Sequence, residues 1–201
     1  MQTRGLINPQ KAPDETEQSI TLEVDVPVAR AGAYQLRSAV REPGSGQTGT
    51  ATAFVEIPDF NRHTLALSSV LLSDRDPGRT GALERAGVIG GGSPATRVFA
   101  SGAALDYDCS VFGTRAEKNS GKPKIEIEVH LFRGPERIFT GHPIPVPVTA
   151  SETPVRATGQ IRLPAFLPPG DYALELIAHD RAAGPRQSAA QWVDFRLAES
   201  K

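Results

Sequence analysis

The chain has 201 residues, 39% hydrophobic and 22% charged, with 19 glycines and 17 prolines. That balance supports a buried core, excludes wholesale disorder and favours many turns over long helices. Twenty-two basic against 23 acidic side chains leave a formal charge of -1, too even for the footprint of a nucleic-acid or anionic-membrane binder, and a single cysteine, Cys109, excludes an internal disulfide or a structural zinc site.

Residues 1–18 carry charges and two prolines where a secretory signal needs an apolar run of about 7–15 residues, so no signal peptide is expected, and residues 1–14 read as a disordered tail. In the next stretch Tyr34, Leu36 and Ser38 alternate with Gln35, Arg37 and Ala39. Glu42-Pro43-Gly44-Ser45-Gly46 then breaks the chain before a second strand over 51–57, which predicts a hairpin. Further strands are predicted at 64–72, 98–112, 125–132, 137–140 and 159–163, joined by loops rich in Pro, Gly and Ser over 73–94 and 141–154. Leu105, Tyr107 and Cys109 share one strand face, so Cys109 reads as a small buried hydrophobe. The clearest alternation sets Ile125, Ile127, Val129 and Leu131 against Glu126, Glu128 and His130, the pattern of a half-buried strand. Gly81-Ala82-Leu83-Glu84-Arg85-Ala86 is rich in helix formers, but one turn is marginal in water and the segment reads as loop. Nothing approaches the roughly 20 apolar residues of a membrane-spanning helix, so no membrane insertion is expected.

The chain also repeats itself. Gly32-Ala33-Tyr34-Gln35-Leu36 matches Gly170-Asp171-Tyr172-Ala173-Leu174 at an offset of 138 positions, and at the same offset Phe54-Val55-Glu56-Ile57 matches Trp192-Val193-Asp194-Phe195. Fixed-offset similarity is what tandem copies of one structural unit produce. In each copy a glycine precedes the tyrosine by two positions, which resembles the tyrosine corner of a two-sheet sandwich, with the ring buried and its hydroxyl on nearby backbone. The predicted fold is therefore all-β: an immunoglobulin-like antiparallel β-sandwich with a partial second copy at the N-terminus. The boundaries are closing strands of a truncated repeat over 15–58, a linker over 59–61 and a complete sandwich over 62–199. Tyr34, Leu36, Phe54, Tyr107, Ile127, Val129, Leu131, Tyr172, Leu174 and Trp192 are the expected core, where Trp192→Ala would cost about 3–5 kcal/mol.

Taken in order, Tyr34-Gln35-Leu36-Arg37-Ser38-Ala39-Val40-Arg41, Phe54-Val55-Glu56-Ile57-Pro58-Asp59, Leu65-Ala66-Leu67-Ser68-Ser69, Leu105-Asp106-Tyr107, Gly121-Lys122-Pro123-Lys124, Leu131-Phe132-Arg133 and Leu167-Pro168-Pro169-Gly170-Asp171-Tyr172 carry a family resemblance. Over residues 20–197 the chain resembles the carboxy-terminal β-sandwich region of the VWFA-related (von Willebrand factor A domain-related) proteins abundant in Acidobacteria. The resemblance implies an extracytoplasmic protein, secreted or in the cell envelope, with an export signal and an upstream von Willebrand factor A domain. That domain's metal site uses an Asp-x-Ser-x-Ser loop. The nearest string here, Asp108-Cys109-Ser110-Val111-Phe112, lacks the second serine and lies in a strand, so no metal role carries over.

Catalytic chemistry finds little footing. Gly44-Ser45-Gly46 and Gly92-Ser93-Pro94 do not make a Gly-x-Ser-x-Gly elbow, and Gly90-Gly91-Gly92 has no following lysine to cradle phosphate. Asp74-Arg75-Asp76-Pro77-Gly78 departs from a calcium loop at the glycine and at Arg85, and reads as a turn. Glu126, Glu128 and His130 lie about 6.5–7 Å apart in succession along a strand, too far for one metal to draw in all three; they form a solvated face and a candidate contact face. His63, His142 and His179 read as exposed histidines without an identifiable carboxylate partner, and whether Asp106, Glu126 and Asp180 converge is left to the fold. No catalytic, cofactor-binding or metal-ligating residue is assigned, and no cofactor is expected. The expected function is a non-enzymatic interaction or spacer module, whose partner is another protein or an upstream domain of the same polypeptide. The rival is a carbohydrate-binding module using the 73–94 loop with Phe60 or Phe139.

Overall fold

The computed structural model describes residues 24, 26–59, 64–76, 92–148, 154–184 and 187–198. The predicted tail over 1–14, the start of the 15–58 unit, the helical candidate at 81–86, most of the 73–94 loop, Phe60 and His63 lie outside these residues. The described residues contain strands and no helix, as their alternating patterns and frequent Gly and Pro breaks dictate. In order these strands are β1 (Gly32–Arg41), β2 (Thr48–Ile57), β3 (Ala66–Leu67), β4 (Leu71–Asp74), β5 (Val98–Phe99), β6 (Ala104–Phe112), β7 (Ile125–Arg133), β8 (Glu136–Thr140), β9 (Ile144–Pro145), β10 (Val155–Arg162), β11 (Gly170–Asp180) and β12 (Ser188–Leu197).

Among the described residues these strands form three sheets. β1 and β2 pair with each other, β6 lies between β10 and the short strands β3 and β4, and the largest sheet runs β5-β12-β11-β7-β8 with β9 also on β7. Every pairing is antiparallel except that of β5 with β12. Alternate residues of the two larger sheets meet in one core: Leu105, Tyr107, Cys109 and Val111 of β6 belong to the same cluster as Ile127, Val129 and Leu131 of β7, Tyr172, Leu174 and Leu176 of β11, and Phe195 of β12. The architecture is all-β and sandwich-like, and its apolar faces give the drive for closure.

Several predicted strands are subdivided. The 98–112 stretch turns at Gly102, whose φ of +73° suits glycine, so that Val98–Phe99 pairs with β12 while Ala104–Phe112 crosses to the other sheet. The 64–72 stretch splits into β3 and β4 around Ser68, whose backbone N–H donates to the Ser110 carbonyl (2.8 Å) and whose Oγ accepts from the Ser110 N–H (2.9 Å). The end of β11 is pinned by Asp180, fully buried, whose carboxylate accepts backbone N–H groups of Arg115 (2.8 Å), Ala182 (3.0 Å) and Ala183 (3.3 Å).

The repeated motif builds the same corner twice. Gly32 and Gly170 have φ of +143° and +138°, and the Tyr34 and Tyr172 hydroxyls donate to carbonyls four residues upstream, Arg30 (2.7 Å) and Pro168 (2.6 Å). The second arms differ in register: Gly32 opposes Ile57 whereas Gly170 opposes Leu197, because the intervening loop, 42–47 in one and 180–187 in the other, is two residues longer. The ungapped alignment of Phe54 with Trp192 therefore does not follow the strand pairing, although a shift of two keeps both on the same side of the pleat.

The expected core is corrected at four positions. Tyr34 and Leu36 are 39% and 47% exposed because no second sheet covers β1 and β2 among the described residues. Phe54 and Trp192, 81% and 48% exposed, oppose Gln35 and Glu175, so they lie on the pleat face turned away from Tyr34 and Tyr172. Trp192 packs on Phe132 instead, ring centroids 4.8 Å apart. Tyr107, Ile127, Val129, Leu131, Tyr172 and Leu174 are all buried.

Two stability measurements check this placement. Trp192→Ala should cost about 0.5–1.5 kcal/mol, the worth of an aromatic pair, against about 2–5 kcal/mol for Leu174→Ala, both read by urea denaturation. Gly159 opposes Tyr107, and a Cβ placed there would lie 2.3 Å from the tyrosine hydroxyl oxygen. Gly159→Ala should therefore destabilise by about 1–3 kcal/mol through overpacking, and a neutral result would refute the tight fit.

Candidate functional site

Outside the core, titratable side chains concentrate on the outer face of the largest sheet. Period-two alternation that buries Ile125, Ile127, Val129 and Leu131 turns Glu126, Glu128, His130 and Phe132 to the other side. β11 does the same, burying Leu174, Leu176 and Ala178 while presenting Glu175, Ile177 and His179. Its register against β7 sets Glu175 opposite His130, Ile177 opposite Glu128 and His179 opposite Glu126. Acid thus faces imidazole directly at the two outer pairs, while Ile177 faces Glu128 between them.

The side chains join into a row. His130 Nδ1 lies 2.9 Å from Glu175 Oε2 and its Nε2 lies 2.8 Å from Glu128 Oε1; the second oxygen of Glu128 is 2.9 Å from His179 Nε2. Beyond them Arg181 donates to Glu126 (2.7 Å). His130 is 5% exposed, so the solvated reading of this face is corrected at His130: it spends its polar atoms on Glu128 and on Glu175 of β11, while Glu126 pairs with Arg181 just beyond that strand. His179 is likewise half-buried on Glu128 rather than exposed without a partner. Glu175 and His179 could have been found from their i, i+4 placement on a strand expected to pair with β7; the missing datum was the register.

Hydrogen bonds from His130 and then from His179 hold the Glu128 carboxyl below its ordinary value. Both nitrogens of His130 face carboxylate oxygens, Glu175 on one side and Glu128 on the other, so the ring is engaged within the sheet at both polar atoms. The row is built to bind two strands together. Among the described residues no group of three or more His, Cys, Asp or Glu side chains is arranged to hold a metal ion. Asp106, Glu126 and Asp180 do not converge: Asp106 pairs with Arg75 (3.4 Å), Glu126 with Arg181, and Asp180 with backbone. Cys109 is buried, and burial first, then the neighbouring Asp108 charge, pushes its thiol up to about 11, so it stays protonated at neutral pH. Asp74 makes a turn, its Oδ1 accepting the Asp76 N–H (2.9 Å). Phe139 is half-exposed on β8, and His142 is exposed beyond it.

No protein-family model and no curated protein matches the chain. No helix among the described residues is long and apolar enough to cross a membrane.

Because the folded Glu128 carboxyl titrates below its unfolded value of about 4.5, its contribution to stability is present above that pH and is lost as pH falls through the folded value. Urea denaturation at pH 7 and pH 3 should show the parent losing more stability between the two than Glu128→Gln; equal losses would contradict the row as drawn. Cys109 should react with a thiol reagent only at the rate of global unfolding.

Proposed function

We propose that this chain is a non-enzymatic interaction or spacer module, an immunoglobulin-like sandwich preceded by the closing hairpin of a second unit of the same kind. The observation that carries the reading is the pairing of two alike hairpins with unlike cover. β11 and β12 bury Tyr172, Leu174, Val193 and Phe195, whereas β1 and β2 leave Tyr34, Leu36, Val40 and Val55 in solvent. A lone two-stranded hairpin is marginal in water, so a hairpin with this apolar face is stable only when another surface lies on it. The acid–imidazole row supports the non-enzymatic part of the reading, since its groups satisfy each other. The resemblance to the carboxy-terminal region of VWFA-related proteins supports the same role and suggests an extracytoplasmic setting.

Amide hydrogen exchange on the isolated chain tests it. The amides of β1 and β2 should exchange orders of magnitude faster than those of β7, β11 and β12, because opening the hairpin costs far less than global unfolding. Equal protection would mean that the hairpin is already complete, and would end the reading.

A second reading, carbohydrate binding, draws on the exposed Trp192 stacked against Phe132. A glycan array decides it: sugar binding abolished by Trp192→Ala would favour the rival, and its absence the module.

A further inference from the structure

The edge of β1 left unpaired among the described residues is more specific than its apolar face alone. Among the described residues β1 pairs with β2 on one side and with nothing on the other, while its counterpart β11 carries β12 on the matching side and β7 on the opposite one. Gly32 to Arg41 corresponds position by position to Gly170 to His179, through the same corner geometry. The residues that fix what may pair with β11 are those it turns outward, Glu175 and His179, which meet His130, Glu126 and Glu128 of β7. At the same places β1 carries Arg37 and Arg41, both exposed, with the Arg37 Nε donating to its own strand neighbour Gln35 (2.9 Å).

We infer that the free edge of β1 is a docking site for an antiparallel β-strand in which apolar residues alternate with acidic ones, so that its carboxylates fall opposite and diagonal to Arg37 and Arg41. The strand's apolar residues extend the Tyr34, Leu36 and Val40 face just as Ile127, Val129 and Leu131 extend that of β11. Directly opposite residues sit about 4.5–5.5 Å apart at Cβ, close enough for each arginine to reach a facing or diagonal carboxylate. Edge pairing supplies main-chain hydrogen bonds and the alternating side chains supply selection. A second copy of this chain is the wrong occupant. In the registers centred on Arg37, Ala39 or Arg41, antiparallel self-pairing of β1 brings arginine against arginine, and like charges placed opposite disfavour a ladder. β7, the acidic strand of the right pattern, is already held between β11 and β8.

The inference rests on the module reading above, and its test fails separately from that one. The probe is a nine-residue peptide with the sequence of β7 carrying His130→Glu (IEIEVELFR), titrated into the isotope-labelled full chain and followed by NMR. The control peptide has lysine at the three acidic positions. Shift changes confined to 33–41, saturating below about 1 mM, and weakened about tenfold or more by Arg37→Glu with Arg41→Glu, are the expected result. That double variant should gain binding to the lysine peptide, a charge-swap rescue that a merely unfolded hairpin would not show. Absence of saturable binding, equal affinity for both peptides, or self-association of the chain through β1 would overturn the inference. If β1 amides still exchange fast in that case, the module reading survives without it.

Discussion

The register of β11 between β7 and β12 governs the rest of the molecule. A pleated strand has two faces and no third choice, so one set of pairings decides at once which side chains enter the core and which form the outer surface. Setting Leu176 opposite Val129 and Gln191 buries Tyr172, Leu174 and Leu176, and the same setting lines Glu175 and His179 up with His130, Glu128 and Glu126. A slip by one residue would put acid and imidazole into the core and leucine into water. The acid–imidazole row and the apolar core are therefore two consequences of a single choice, each penalising the slips that the other penalises.

The β1–β2 hairpin separates local from tertiary contributions. Its corner is formed as in β11–β12, with the same left-handed glycine and the same tyrosine hydroxyl on the carbonyl four residues back. That geometry is thus a property of the short segment itself. What differs is cover: the residues that are interior in one hairpin are solvent-facing in the other. Burial follows from what packs on a strand, and strands with the same corner geometry can differ in burial within one chain.

This distinction also explains what was legible in the sequence. The all-β class, the alternation in β7 and β11, the tyrosine corners and the burial of Cys109 follow from local periodicity, which the residues themselves carry. Trp192 and Phe54 escaped that logic. Aromatic character suggested interior positions, but the face of a second hairpin strand is set by its register against the first, which puts Phe54 opposite Gln35 and Trp192 opposite Glu175, on the side away from the tyrosines. The candidate site was half legible: Glu126, Glu128 and His130 stood out as one face, whereas Glu175 and His179 entered only once β11 was known to lie beside β7. Pairing between strands some 45 residues apart leaves no periodic trace.

Asp180 gives the sandwich a fastening of a different kind from its surface ion pairs. Asp108 with Arg156 and Asp171 with Arg196 lie where dissolved electrolyte reaches them, and screening over about 8 Å at physiological ionic strength erodes such attractions. The Asp180 carboxylate is shut away from solvent and held by amide dipoles of the 181–183 turn and of Arg115 across the fold. The joint between these loops is consequently screened far less than the outer pairs, so added electrolyte loosens the surface of the sandwich before it loosens this corner.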